Sequence, residues 1–409
     1  LLSAMIRAVV LKSPPQLVTG AVVFAGVVSN TASEMGYVVL IPLAAVIFHA
    51  LGRHPFAGLA AAFAGVSAGY SANLLIGTVD PLLAGITEEA ARLIDPEYTV
   101  HPAVNWYFMI VSTFVVTGVG WWVTARIVEP KLGVYDDTNA DHQALGEITT
   151  DPLTRDEVRG LWAALGATLF LTALLLLATV PEWGVLRNPE TGDLLDSAFL
   201  RGIVALIFIF FVVPGFVFGW VTGTMRSDRD VVDGMAGAMS TLGLYIVLVF
   251  FAAQFVAFFG WTNLGSITAV VGADVLERIN LTSPLVFIPF ILMCCLVNLS
   301  LGSASAQWAI TAPIFVPMLM LIGYSPEVIQ AAYRIGDSTT NIITPMMSYF
   351  GLILAFAARY DRKLGIGTLV AMMLPYTLFF LLFWVTTFYL WVFVLGFPVG
   401  PAAPTYYAP

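Results

Sequence analysis

The chain has 409 residues, of which 59% are hydrophobic and 11% charged, and its mean hydropathy is +0.89. That balance excludes a soluble fold, which is only about half apolar. A net charge of -9, with basic residues scattered at loop ends, excludes a nucleic-acid partner.

A helical span needs about 20 apolar residues to cross roughly 30 Å of hydrocarbon, and several such runs follow one another. No initiator Met or signal peptide stands at Leu1, so the natural protein is expected to be longer. Residues 1–15 read as an amphipathic, interfacial segment. Two apolar stretches, about 16–50 and 284–323, hold too many polar residues at their centres to be simple spans. Both read as re-entrant helical hairpins, which are tolerated at membrane depth only where protein or a water-filled cavity covers the irregular backbone. Spans are predicted at about 56–88, 104–126, 160–180, 200–224, 235–262, 327–358 and 366–396, those at 56–88 and 327–358 broken by polar residues. Arg126 with Lys131, Arg226 with Arg229, and Arg359 with Arg362 and Lys363 mark cytoplasmic loops. Alternation then puts Arg53 and His54 inside, and the loops Glu88 to Asp95 and Glu182 to Asp196 outside. The first hairpin opens inward and the second outward. Asp136 to Asp156, rich in acids and turn formers, reads as a solvated part of the cytoplasmic loop 127–159. Cys294 and Cys295, adjacent in an apolar run, read as buried packing residues, since geometry disfavours a disulfide between neighbours.

Landmarks of the two hairpins recur at an offset of 271: Tyr37 with Trp308, Pro42 with Pro313, Pro55 with Pro326 and Gly65 with Gly336. After a short gap Ser71-Ala72-Asn73 stands beside Thr339-Thr340-Asn341. With the halves entering from opposite sides this is an inverted repeat, the arrangement that binds substrate and coupling ions near the midplane. The chain then divides into a first repeat (16–103), intervening spans forming a scaffold or dimerisation region (104–283), a second repeat (284–358), and a last span with its tail (359–409).

Inside the membrane the first hairpin carries Ser29-Asn30-Thr31-Ala32-Ser33-Glu34, a run that would cost several kcal/mol facing lipid. It serves either as hard oxygen ligands for Na⁺, as main-chain donors for an anion, or as a satisfied helix cap. The second hairpin runs from Asn298 through Ser300, Gly302, Ser303 and Ser305 to Gln307 and Trp308. Trp308 stacks on a flat aromatic substrate or plugs a gate, and its distance from any charged loop end argues against an interfacial belt. Arg334 and Asp337, ionisable residues inside an apolar span, share a helix face and are expected either to pair structurally or to act on substrate and ion. Asp80, beside Pro81, is the other buried carboxylate and a protonation candidate. The oxygens of Asn30, Thr31 and Asn73 are expected to bind one cation, and those of Asn298, Asp337 and Asn341 another.

An intramembrane aspartyl enzyme built on Asp80 and Asp337 is the competing class, but Arg334-Ile335-Gly336-Asp337 lacks the first glycine of Gly-x-Gly-Asp. A channel is disfavoured by the absence of a repeated filter loop, and without a P-loop transport is driven by an ion gradient or the substrate's own.

The stretches SNTASEMGYVVLIPLAAVIFHALGRHPFAGLAAAFAGVSAGYSANLLIGTVDPLLAGIT (29–87), SLGSASAQWAITAPIFVPML (300–319) and YRIGDSTTNIITPM (333–346) resemble the p-aminobenzoyl-glutamate transporter family, known as the AbgT family. The similarity covers essentially the whole chain and implies further spans ahead of Leu1. It implies an all-α, multi-pass homodimer in the bacterial inner membrane, each subunit with two re-entrant hairpins and its own pathway. Implied substrates are p-aminobenzoyl-glutamate, an aromatic anion, and sulfonamide antimetabolites, with Na⁺ or H⁺ as coupling ion and no other cofactor. A sodium-coupled carrier of another organic anion is the alternative. The functional positions carried over are Asp80, Ser305, Trp308, Pro326, Arg334 and Asp337, with Asn298 a further candidate.

Overall fold

The computed structural model describes the chain apart from residues 2–3, 6–7, 9–13, 15, 33–35, 78, 141–152, 189–196, 242–246, 248–249, 252–253, 256, 259–260 and 408–409. Most of the interfacial segment 1–15, Ser33 and Glu34 of the first tip, the acidic stretch 141–152, part of the loop after Glu182 and much of the expected span 235–262 therefore lie outside the described residues. Among the described residues the chain is all helical, apart from an isolated antiparallel bridge between Tyr324 and Tyr406.

Helix α1 (Val18–Ser29) ends in a tight turn, Asn30–Ala32, and a wide helical turn, Gly36–Leu40, runs directly into α2 (Ile41–Ala50), with Pro42, which has no N–H to donate, at the junction. α3 (Pro55–Phe63) starts on His54, whose Nδ1 accepts from the Phe56 N–H at 3.2 Å, and loosens into a wide turn, Ala64–Ala68. Turns and irregular chain follow ahead of α4 (Val79–Ala91), so the expected span 56–88 is two helices around an irregular centre. α5 (Trp106–Val123) continues through Thr124–Val128 to a last turn at Glu129–Leu132.

Next come α6 (Arg155–Thr179), opened by a Thr154–Glu157 capping box, α7 (Ile203–Thr222), closed by left-handed Gly223, and α8 (Asp228–Thr241). Then follow α9 (Leu264–Arg278), α10 (Phe287–Leu301) and α11 (Ala304–Leu321). α12 (Pro326–Thr340) is capped by Ser325 and breaks at Asn341–Ile343. α13 (Phe350–Ala358) completes the expected span 327–358, and α14 (Ile366–Tyr389) runs on through Leu390–Val394.

The chain forms two compact units. The smaller comprises Leu1–Ala8 and Asp151–Val249, where α6 packs on α7 around Ala4, Ala164 and Phe218 and the Phe218 ring closes over Gly160. The outer face of α6, with Trp162, Leu169, Phe170 and Leu177, is exposed and apolar, as a lipid-facing helix requires. The larger unit, Val9–Thr150 and Phe250–Pro409, holds everything described below. There α1 packs on α3 and α5, α2 on α3, α4 on α11, α10 on α12, and α14 on α5 and α12. Among the described residues, Trp106–Leu132, Arg155–Thr179, Pro284–Leu301, Ala304–Leu321 and Ile366–Val394 are long and apolar enough to cross a membrane. The two arms of the second hairpin are among them: each has 18 residues, about 27 Å of helix.

The tail after Val394 is stitched back onto this unit. Phe108 donates its N–H to Val399 O, Ser325 its N–H to Thr405 O and its hydroxyl to Pro404 O, and Tyr407 its N–H to Gly323 O.

Candidate functional site

The sharp bend between α10 and α11 is made by Gly302, which sits at φ 58, where an L side chain would be strained. It brings Gly302, Ser303 and Ser305 to the wall of a cavity of about 250 Å³. It is also lined by Tyr37 and Tyr70, with Asn341 and Tyr349 from the chain after α12. Tyr37 and Tyr349 stack with ring centres 4.5 Å apart, so flat aromatic surface and small hydroxylated residues face one space.

Beside the cavity lies an ion pair. Arg334 donates Nη2 to Asp80 Oδ1 at 2.5 Å and Nε to Asn105 Oδ1 at 3.1 Å, and Asp80 Oδ2 also accepts from the Gly77 N–H at 2.6 Å. The partner of Arg334 is therefore Asp80, from α4, and not Asp337 on its own helix as helical spacing suggests. The two aspartates do not form a dyad, because the Asp80 carboxylate is committed to Arg334 and Gly77.

Asn105 Oδ1 accepts from Gln330 Nε2 as well, at 2.8 Å; Thr87 donates to Gln330 Oε1 at 2.6 Å; and Trp308 Nε1 donates to Thr87 Oγ1 at 2.8 Å. A buried chain of side chains thus runs from the second hairpin to the ion pair. Trp308 is fully buried, stacked 4.2 Å from Tyr333, and does not line the cavity. Pro326 sits at the far end of α12, about 22 Å from Asn341 by helical rise.

The third feature is an excess of oxygen. Asn298 Nδ2 has three acceptors, Asp337 O at 2.6 Å, Asn341 Oδ1 at 2.8 Å and Thr340 Oγ1 at 2.9 Å, for two protons. Buried Asn298 Oδ1, both Asp337 carboxylate oxygens and Ser338 Oγ have no hydrogen-bond partner among the described residues. Tyr333 lies close to that carboxylate, but its one hydroxyl proton goes to Ala304 O at 2.5 Å. So many oxygens around so few protons fit a hard cation. After α1, Thr31 donates to Asn73 Oδ1 at 2.9 Å, and the buried Asn30 Oδ1 is likewise unpartnered among the described residues, while Ser29 folds back onto Gly26 O. Asn341 Nδ2 reaches across to Ser67 O at 3.3 Å.

Asp80, Arg334, Asp337, Asn298 and Asn341 are thus gathered in one region, with Ser303 and Ser305 on the cavity wall. Thr87, Asn105, Gln330 and Glu327 escaped the sequence reading. For Glu327 and Gln330 a signal was present, because they continue the three-and-four spacing of Arg334, Asp337 and Asn341 back to the helix start. Asn105, at the head of an ordinary span, gave none.

Known proteins are similar to this chain in sequence and fold. The p-aminobenzoyl-glutamate transport protein of Escherichia coli (strain K12) is 39% identical over 380 residues, 93% of this chain and 73% of that protein. The structure of Neisseria gonorrhoeae MtrF, described as illuminating a class of antimetabolite efflux pumps, superposes with a TM-score of 0.91 at 59% identity, covering 98% of this chain and 79% of that one. The Alcanivorax borkumensis YdaH transporter, described as having an unusual topology, gives a TM-score of 0.91 at 43% identity over 98% of this chain and 82% of its own. With the family model matched from residue 1 to 407, the chain is a membrane transporter and belongs to the AbgT putative transporter family.

Proposed function

We propose that the chain is an ion-gradient-driven secondary transporter of aromatic organic anions of the p-aminobenzoyl-glutamate kind, of sulfonamide antimetabolites, or of both, in the bacterial inner membrane. The observation that carries this reading is the cavity between the hairpin regions, walled by stacked tyrosines and serine hydroxyls, with Asn341 shared between its wall and the oxygen-rich cluster. The tyrosine faces suit an aromatic ring, and the Arg334 guanidinium is the group to grip a carboxylate or sulfonyl oxygen once Asp80 releases it. Asn298, Asp337 and Asn341 would hold Na⁺ or, at Asp337, a proton, with Asn30, Thr31 and Asn73 a second cation set.

The inverted repeat belongs to the same proposal. Val23 and Cys294 stand 271 residues apart, as do Gly65 and Gly336, and a Cβ on Gly65 would meet Val23 while one on Gly336 would meet Cys294. Asn73 accepts from the hairpin residue Thr31, and Asn341 from the hairpin residue Asn298. Two halves with matching internal contacts, re-entrant hairpins at their tips and a second copy alongside give alternating access around the cavity, in a direction set by the gradients present.

Counterflow of labelled p-aminobenzoyl-glutamate and of a labelled sulfonamide in proteoliposomes, with sodium and proton gradients imposed separately and Asp337→Ala as control, tests it. Gradient-driven movement by the wild type and none by the variant supports the coupled transporter. Movement of neither compound under any gradient overturns the substrate class.

A further inference from the structure

α12 buries a polar stripe along its whole length. Glu327, Gln330, Arg334, Asp337 and, just past its end, Asn341 follow at steps of three and four residues, which keeps them on one helix face, and all five are buried. Arg334 holds Asp80, Gln330 is fixed by Thr87 and Asn105, and Asp337 and Asn341 belong to the oxygen cluster. Glu327 is the acid left over.

Glu327 is 2% exposed, and the neighbours acting on it are hydroxyls and main chain, with no ion pair to it among the described residues. Tyr98 Oη donates to both carboxylate oxygens at 3.0 Å, and Asn105 Nδ2 holds the Glu327 carbonyl at 2.9 Å. Ser325 caps the same helix. Around Tyr98 stand Tyr407, with ring centres 5.9 Å apart, and Asp95. Arg92 holds the Tyr98 carbonyl at 3.2 Å while pairing with Glu88 and Glu89. Arg334 lies two turns further along α12. Burial and the neighbouring Glu327 hold the Tyr98 phenol far above its ordinary range, so it stays a donor. Tyr98 is half-buried, in the stretch 92–105 that alternation places on the outer side, and so connects Glu327 to water.

We infer that Glu327 is a proton-binding site of the transport cycle, loaded from the side on which Tyr98 lies. The inference rests on the reading of the chain as an ion-coupled transporter. A membrane acid with no cation partner among the described residues is the kind of group that takes up and releases protons in such proteins. The carboxylate gains one O–H bond and loses its charge when a proton arrives from water, and the same bond breaks when the proton leaves on the other side. The stripe along α12 links that neutralisation to Arg334 and Asp80.

Glu327→Gln, which is permanently neutral, separates exchange from drive. In proteoliposomes it is expected to keep substrate counterflow within about twofold of wild type and to lose accumulation driven by a pH gradient by about tenfold or more, the size of a typical coupling between sites. Wild-type accumulation by this variant would overturn the proposal. Tyr98→Phe leaves the carboxylate but removes its donor, so the pH midpoint of proton-driven transport is expected to move upward. A uniform loss of rate at every pH in Tyr98→Phe, with the midpoint unmoved, would make the pair structural and overturn the proposal even if Glu327→Gln failed to fold. Absence of counterflow in the wild type is a different result, and counts against the transporter reading instead.

Discussion

At the scale of single residues, the Asp80–Arg334 pair is held together by burial, since neither charge has water to return to. Removing one partner from a buried pair is strongly destabilising, by about 3–5 kcal/mol, whereas removing both is far milder. Asp80→Asn and Arg334→Gln are each expected to lower the melting temperature in detergent, with the double variant recovering much of the loss; additive losses would show that the two do not act as a pair. His54 offers a pH test outside the spans. Burial holds its pKa below the ordinary 6.5, against an opposing pull from Glu129, and its neutral Nδ1 caps α3. Its contribution to stability is complete above the unfolded value and is lost as the pH falls through it toward the lower folded value. His54→Asn keeps a cap of comparable worth, about 1 kcal/mol, without the titration. Between about pH 7.5 and 5.5 the wild type is therefore expected to lose more thermal stability than the variant.

At the scale of elements, close approach of helices substitutes for the missing hydrophobic drive between them in lipid. Gly336 lies where a Cβ would stand 2.6 Å from Cys294 Cβ and 2.7 Å from Ile291 O, and Gly65 presses on Val23 O in the same way. Alanine at either position is expected to cost about 1–3 kcal/mol by overpacking, and alanine at open Gly85 close to nothing; unfolding in a graded denaturant checks the ranking. These elements were largely legible in the sequence. Polar residues such as Asn30, Asn298 and Asn341 are too costly against lipid to occur by accident, so they announced interruptions of the helices, and the chain breaks at or close to each of them. What stayed hidden was pairing across the chain: Asp80 and Arg334 are 254 residues apart, and helical spacing offered Asp337 as a nearer partner. Trp308 read as a ring free for substrate because nothing in its own segment reveals Tyr333 and Thr87 beside it.

At the scale of the whole molecule, the oxygen cluster around Asn298 and Asp337 makes sodium a stabilising ligand in the proposed cycle. Sodium at a hundred times its dissociation constant is expected to stabilise the protein by about 2.7 kcal/mol against choline, and Asp337→Asn to abolish the difference. Equal melting of the wild type in both salts would leave the proton as sole driver. The stitched tail bears on how such experiments are built. Residues 399–407 hold down the head of α12 and the start of α5, so a fluorescent reporter spliced in their place would unfasten the helix that carries Glu327 and Arg334. A reporter appended beyond Tyr407 leaves those stitches intact. Expression screens that trim the carboxyl end to tidy a fusion would thus select against the activity they set out to measure.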